Sequence, residues 1–181
     1  MSNDLIIRPA RKEDAELIAK VITMAINTDE GNQLFPVFCE LASREFSQYS
    51  YHNCLVAEVD ALPVGAIVGY DGARLSELRE PIFELIDKYI GKSIVIEDET
   101  QPGEFYVDSF AVFQEWRGKG LGKQLLLSMM KKAASDGHKR VGLLVDQENP
   151  RAEKLYQSLG FRVVEEKMFL GHPMWHMICG I

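Results

Sequence analysis

Cysteine is scarce, with three residues (Cys39, Cys54 and Cys179) in a chain of 181, far apart and without a Cys-x-x-Cys spacing. An odd, scattered set builds no disulfide frame and reads as buried thiols in a cytoplasmic protein. Four histidines (His52, His138, His172 and His176) do not cluster with them. His172 and His176 are four apart, but Pro173 between them disfavours the helix that would align both for a metal ion, so no metal site is expected. No apolar run approaches the roughly 18 residues of a membrane span. The opening Met1-Ser2-Asn3-Asp4-Leu5-Ile6-Ile7 lacks the basic and apolar regions of a secretory leader. Positive charge is in deficit: 20 Lys and Arg against 27 Asp and Glu give a net charge of −7. That balance opposes binding to nucleic acid through broad phosphate attraction and leans towards a basic acceptor such as an amine. Neither a nucleic acid nor a membrane is an expected partner.

What remains is an ordinary globular composition, 46% apolar and 26% charged, sized for one domain over residues 1–181. A first strand is expected over Asp4 to Arg8, closed by Pro9. Ala15, Ile18, Val21, Ile22 and Ala25 recur at helical spacing and predict a helix from Lys12 to Asn27. A polar loop over Asn27 to Asn32 and a second helix over Phe35 to Phe46 follow. Cys54 to Val59 and Val64 to Tyr70, around the turn Asp60-Ala61-Leu62-Pro63, predict an antiparallel hairpin. From Asp71 to Gln101 the pattern turns charged and helical. Leu75, Leu78, Ile82, Leu85, Ile86 and Tyr89 share a helical face, with an interruption near Pro81, and Glu97-Asp98-Glu99 with Pro102-Gly103 loops back to the sheet. The rest alternates: strand 105–113, helix 120–135, strand 140–146, helix 150–159, strand 161–169 and a last strand from Trp175 to Cys179. The expected fold is a mixed α/β sheet flanked by helices, with a helical insert at about 72–103.

The chemistry begins after Phe110-Ala111-Val112-Phe113, where Arg117-Gly118-Lys119-Gly120-Leu121-Gly122-Lys123 opens a helix. Strand, glycine turn and helix N-terminus together make an anion site: glycines let the backbone approach, and free N–H groups point at phosphate oxygens. The helix end adds about half a positive charge, and Arg117, Lys119 and Lys123 add more. No Ser or Thr follows Lys119 or Lys123, so the loop is not a Walker loop. Its Gly-x-Gly-x-Gly spacing is not the dinucleotide fingerprint either.

Val112, Arg117, Gly120 and Gly122 resemble the Arg/Gln-x-x-Gly-x-Gly/Ala element of the GNAT superfamily of N-acetyltransferases. Asn149-Pro150-Arg151-Ala152-Glu153-Lys154-Leu155-Tyr156, continued to Gly160-Phe161, is similar to that family's second signature. The resemblance covers Tyr106 to about Val164 and implies the GNAT fold, with a mostly antiparallel sheet splayed at the cofactor strands. It implies acetyl-CoA as co-substrate and direct transfer of acetyl to a primary amine of a small molecule or peptide, without a metal.

Residue by residue, it implies that Phe110, Ala111 and Val112 pair with the pantetheine arm and that Gly118 to Lys123 wrap the pyrophosphate. Core packing accounts equally for the side chains of Phe110 and Val112. Asn149 is an expected N-cap before Pro150, and the resemblance adds a contact to the cofactor arm. Tyr156 shares a helical face with Ala152, Leu155 and Leu159, so burial alone accounts for an aromatic there. The resemblance makes it the general acid for the leaving thiolate. Many relatives carry a basic Glu where this chain has Tyr106, others where it has Leu144. Glu104 and Asp108 share the strand parity of Tyr106. Asp108 is the candidate base, with Glu104 and a water chain as alternatives. Trp116, Met129 and Met130 are assigned packing and no chemistry.

Acceptor choice is expected in Thr28 to Pro36 and in the insert Gly72 to Tyr89, where Asp29, Glu30, Glu77, Glu80 and Glu84 offer negative charge to a cation. The strand His172 to Ile181 is a candidate dimer edge, and both monomer and homodimer stay open. So does a second class of function, an acyl-CoA-binding sensor or interaction domain of the same fold without transferase activity.

Overall fold

In the computed structural model, residues 4–26 and 33–181 are described. The order is β1 (Leu5–Pro9), α1 (Ala15–Ile26), α2 (Phe35–Ser43), β2 (Cys54–Val59), β3 (Leu62–Asp71), α3 (Leu75–Ile90), β4 (Phe105–Val112), α4 (Leu121–Ser135), β5 (Arg140–Asp146), α5 (Pro150–Ser158), β6 (Arg162–Phe169) and β7 (His172–Gly180). The expected loop Asn27–Asn32, with Asp29 and Glu30, lies outside the described residues.

One seven-stranded sheet runs β1-β2-β3-β4-β5-β7-β6. Only the β4–β5 pair is parallel, and it is held over just three positions, Phe105 to Val107 against Val141 to Leu143. Beyond them the two strands part. Two cores cover the sheet. On one face α1, α2 and α3 bury Ile18, Ile22, Leu41 and Leu85 against Val56, Ala66 and Val68. On the other, α4 and α5 bury Leu125, Leu126 and Met129 against Ala57, Ile67, Val141 and Leu143. Successive residues of β2 and β3 serve opposite cores, which explains their near-continuous apolar runs.

Several expectations are corrected. The first hairpin turns on Asp60-Ala61 alone, both at positive φ (51° and 65°). A two-residue turn of that type matches strand twist, so Leu62 and Pro63 join β3. The second helix stops at Ser43, because the Leu41 carbonyl accepts from the buried Ser47 hydroxyl (2.8 Å) and Arg44 is already extended. Pro81 does not interrupt α3. An internal proline forfeits one backbone hydrogen bond, about 3 kcal/mol. Burial of Leu75, Leu78, Ile82, Leu85 and Ile86 around it is worth roughly 1.5–3 kcal/mol each and prevails. Tyr89 sits at the exposed margin of that face and donates to Glu40 Oε2 at 2.9 Å. Only 75–90 of the insert is α-helical; 91–101 has no regular structure and is held by Arg79, which binds the Ile96 and Glu97 carbonyls and the Asp98 carboxylate.

The last strand begins at His172, not Trp175, and is no edge. β7 lies between β5 and β6, antiparallel to both, which buries Met177 completely. The edge on that side is β6, with Val163, Val164 and Met168 exposed.

Candidate active site

The parting of β4 from β5 opens a cleft of about 1290 Å³, larger than the roughly 300–1,000 Å³ of most small-molecule pockets. Its walls include Asp108, Phe110, Ala111 and Val112 from β4, and Leu143, Asn149 and Tyr156 from the β5–α5 side. Tyr156 and Asp108, distant in sequence, therefore face one space. Phe110 packs edge-on against the Tyr156 ring, with centroids 6.2 Å apart, and fixes its place. Burial pushes the Tyr156 phenol well above its ordinary value, so the oxygen keeps its proton at neutral pH. Among the described residues, its hydroxyl has no hydrogen-bond partner in the protein.

Arg117 lines the cleft, and the loop that follows it, outside the cleft lining, exposes Gly118, Lys119, Gly120 and Lys123. The backbone N–H groups of Gly118 to Lys123 find no acceptor among the described residues; the first helical bond of α4 runs from Gln124 to the Gly120 carbonyl. Gly118 and Gly120 have φ of 77° and 78°, with nothing within 4 Å of a side chain built there. Such a turn of free donors fits a pyrophosphate. The positive side chains behave unequally. Arg117 Nε folds back onto the Val112 carbonyl at 2.9 Å, and Lys119 lies 4.3 Å over the Trp116 ring. The Leu121 side chain is buried in the core, which leaves only its backbone to a ligand. Asn149 caps α5, its Oδ1 accepting from Ala152 N at 3.1 Å, and also lines the cleft.

Asp108 owes its aim to a β-bulge. Val68 pairs with Ser109 but Gly69 pairs with Val107, so Asp108 is the extra residue of β4. Its Oδ2 accepts from Gln48 Nε2 and from the Tyr70 hydroxyl, each at 2.8 Å, and its Oδ1 from Ser109 Oγ at 2.7 Å. The same Gln48 and Tyr70 groups contact Glu99 Oε1, at 2.8 and 3.0 Å. Burial and the nearby Asp108 carboxylate push Glu99 above its ordinary value, while Arg79 pulls the other way. Tyr70, Tyr49 and Tyr106 are raised well above theirs, chiefly by burial, so all three stay protonated.

Glu104 is not part of this site. It lies just before β4, outside the alternation that was expected to aim it at the cleft. It sits instead against Gly142, where its carboxylate meets His176 Nε2 at 3.0 Å and the Thr100 hydroxyl at 2.6 Å. Glu77, Glu80 and Glu84 are exposed on the outer side of α3, with Glu77 paired to Arg74 and Glu84 to Arg44. Tyr106 and Leu144 line the cleft without supplying a carboxylate. Sequence reading missed Gln48, Tyr70, Arg79 and Glu99. Arg79 alone left a signal: it falls four residues after Leu75 and three before Ile82, on the apolar stripe of α3.

Among the described residues no group of three or more His, Cys, Asp or Glu stands where it could hold a metal ion, and no helix is long and apolar enough to cross a membrane.

A family model described as the acetyltransferase (GNAT) family matches residues 23–161. A solved structure titled as an acetyltransferase superposes with a TM-score of 0.82 at 31% identity, covering 97% of this chain and 99% of that one. The mycothiol acetyltransferase of Corynebacterium aurimucosum is 37% identical over 79 residues, 44% of this chain and 24% of that protein. The spermine/spermidine N(1)-acetyltransferase of Bacillus subtilis is 32% identical over 79 residues, 43% of this chain and 52% of that protein. The matched stretch thus spans about a quarter to a half of these curated relatives.

Proposed function

The chain belongs to the acetyltransferase (GNAT) family, and from that membership we propose that it is an acetyl-CoA-dependent N-acetyltransferase moving acetyl directly to a primary amine. The observation that carries this reading is that Tyr156, Asp108 and the open edge of β4 line one cleft together with Arg117, where the glycine loop begins. Bound acetyl-CoA supplies an activated acetyl thioester.

The chain's own groups do the rest. The free N–H groups of Gly118 to Lys123 hold the pyrophosphate, with Arg117 and Lys123 adding charge. Phe110, Ala111 and Val112, unpaired with β5, offer backbone groups to the pantetheine arm. An N–H there, aimed where negative charge develops, gives the oxyanion-type stabilisation that dominates many acyl transfers. Asn149 adds its side-chain amide. An amine with a pKa near 10.4 arrives protonated at neutral pH, and Asp108 takes the proton that must leave before nitrogen attacks. Tyr156 holds a proton at its phenol oxygen for the departing thiolate.

Free-thiol release measured over a panel of primary amines tests the reading. Acceptor-dependent release supports transfer; acetyl-CoA binding with no turnover on any amine would leave the sensor alternative in its place. Within an active enzyme, Tyr156→Phe is expected to lower kcat by roughly 10- to 1,000-fold, the span of acid–base groups, with the Kd for acetyl-CoA unchanged. An unaltered kcat with the best acceptor would remove Tyr156 from the chemistry.

A further inference from the structure

Away from the glycine loop the cleft is walled by apolar side chains. Ile26 of α1, Phe38 of α2, Ile82, Ile86 and Ile90 of α3, and Ile96 beyond it all line this end. Charge there is sparse. Arg79 and Glu99 neutralise each other in a buried pair, and Arg79 also binds Asp98 and the carbonyls of Ile96 and Glu97. Among the described residues, Asp108 is the carboxylate at this end without a cationic partner. The exposed Lys92 carries the same sign as an ammonium.

The opposite wall adds an independent observation. β6 turns into β7 through Leu170-Gly171, with φ of 49° and 80°. Asn or Gly occupies such a left-handed position without strain, and a branched apolar residue does not. Leu170 nevertheless stands there, half exposed and lining the cleft together with Phe169 and Met174. Its N–H donates to Glu97 Oε2 at 3.3 Å, which ties the turn to the segment across the cleft. An apolar surface is kept at this point at the expense of backbone strain.

We propose that the acceptor is a monoamine on an apolar carbon body, an alkylamine or arylalkylamine, and not a polyamine. This rests on the reading of the site as an N-acetyltransferase. One ammonium matches Asp108, the carboxylate at the isoleucine-walled end that lacks a cation among the described residues, whereas Asp146 and Glu148 line the cleft beside Asn149. A second ammonium would be laid against the isoleucine wall, stripped of water and without a counter-charge.

Hexylamine and 1,6-diaminohexane have the same carbon chain and differ by one terminal ammonium. With the intact enzyme and acetyl-CoA, kcat/KM for hexylamine is expected to exceed that for the diamine by about tenfold or more. Ile90→Glu, at the half-buried end of α3, should move the ratio towards the diamine. Leu170→Asn, which suits the turn, should raise KM for hexylamine while the protein remains folded. A diamine used as well as or better than hexylamine overturns the proposal. Should neither amine be acetylated, nor any other, the transferase reading fails, and calorimetric titration of the two amines into the CoA-loaded protein still decides the ligand class. Tighter hexylamine binding sustains the proposal, and equal or tighter diamine binding overturns it.

Discussion

Asp108→Asn is expected to lower kcat/KM at neutral pH by roughly 10²- to 10⁴-fold, the usual contribution of a positioned base, and to leave acetyl-CoA affinity intact. The replacement keeps the side chain's shape within the cluster of Gln48, Tyr70 and Ser109, so the loss isolates the charge. Without a base, only acceptor that has already lost its proton can react. The rate of the variant should therefore climb about tenfold per pH unit towards the amine's own pKa, near 10.4, whereas the parent enzyme levels off earlier. Steady-state kcat/KM profiles from pH 6 to 10, with acetyl-CoA binding measured separately, check both halves. A loss below about threefold, or a profile parallel to the parent's, would take the base role from Asp108.

Arg79→Met should destabilise the fold by about 3–5 kcal/mol, the usual result of stranding a buried carboxylate. Arg79 and Glu99 are 4% and 2% exposed, so water replaces little of what the guanidinium provides. The pH dependence identifies the cause. Glu99 is already raised above its ordinary value, and loss of Arg79 raises it further. A carboxyl with a higher pKa folded than unfolded binds more protons in the native state, so its native form weakens as pH rises through that interval. The deficit of the variant relative to the parent should thus be greatest at neutral and alkaline pH and shrink as Glu99 is protonated in acid. Adding Glu99→Gln to Arg79→Met should restore a large part of the loss, since the two sites interact. Urea unfolding of the parent, single and double variants at two pH values measures this. A deficit independent of pH and of Glu99 would assign Arg79 a packing role instead.

Local sequence patterns disclosed much of the architecture. The apolar runs of β2 and β3, the amphipathic stripes of α1 and α3, and the two signatures around Gly120 and Tyr156 each lie within a few turns or one loop. The carboxylate cluster was not legible, because it joins residues from four separate stretches: Gln48, Tyr70, Glu99 and Asp108. A short spacing rule sees none of these pairs, and Glu99 stood disguised in an acidic run whose first two members are exposed. The bulge at Asp108 was hidden for a related reason, since register is a property of two strands and not of one. β7 was misplaced at an edge because nothing local reveals that a C-terminal strand inserts between β5 and β6. Pro81 misled in the opposite sense: its local preference is real, and tertiary burial on both sides outweighs it.

The three-residue join between β4 and β5 divides the backbone ladder into two blocks, β1 to β4 and β5 to β7, linked through the α4 crossover and side-chain packing. Amides that face the gap lack a strand partner, and their protection against hydrogen exchange should be low in the free protein. A cofactor arm lying along Phe110 to Val112 would act as the missing length of strand, bonding one block while touching the other. Saturating acetyl-CoA should then slow exchange along that edge and raise protection in both blocks together, as measured by exchange with mass or NMR detection. The co-substrate would become a seam of the native state, and two loosely coupled folding units would open as one.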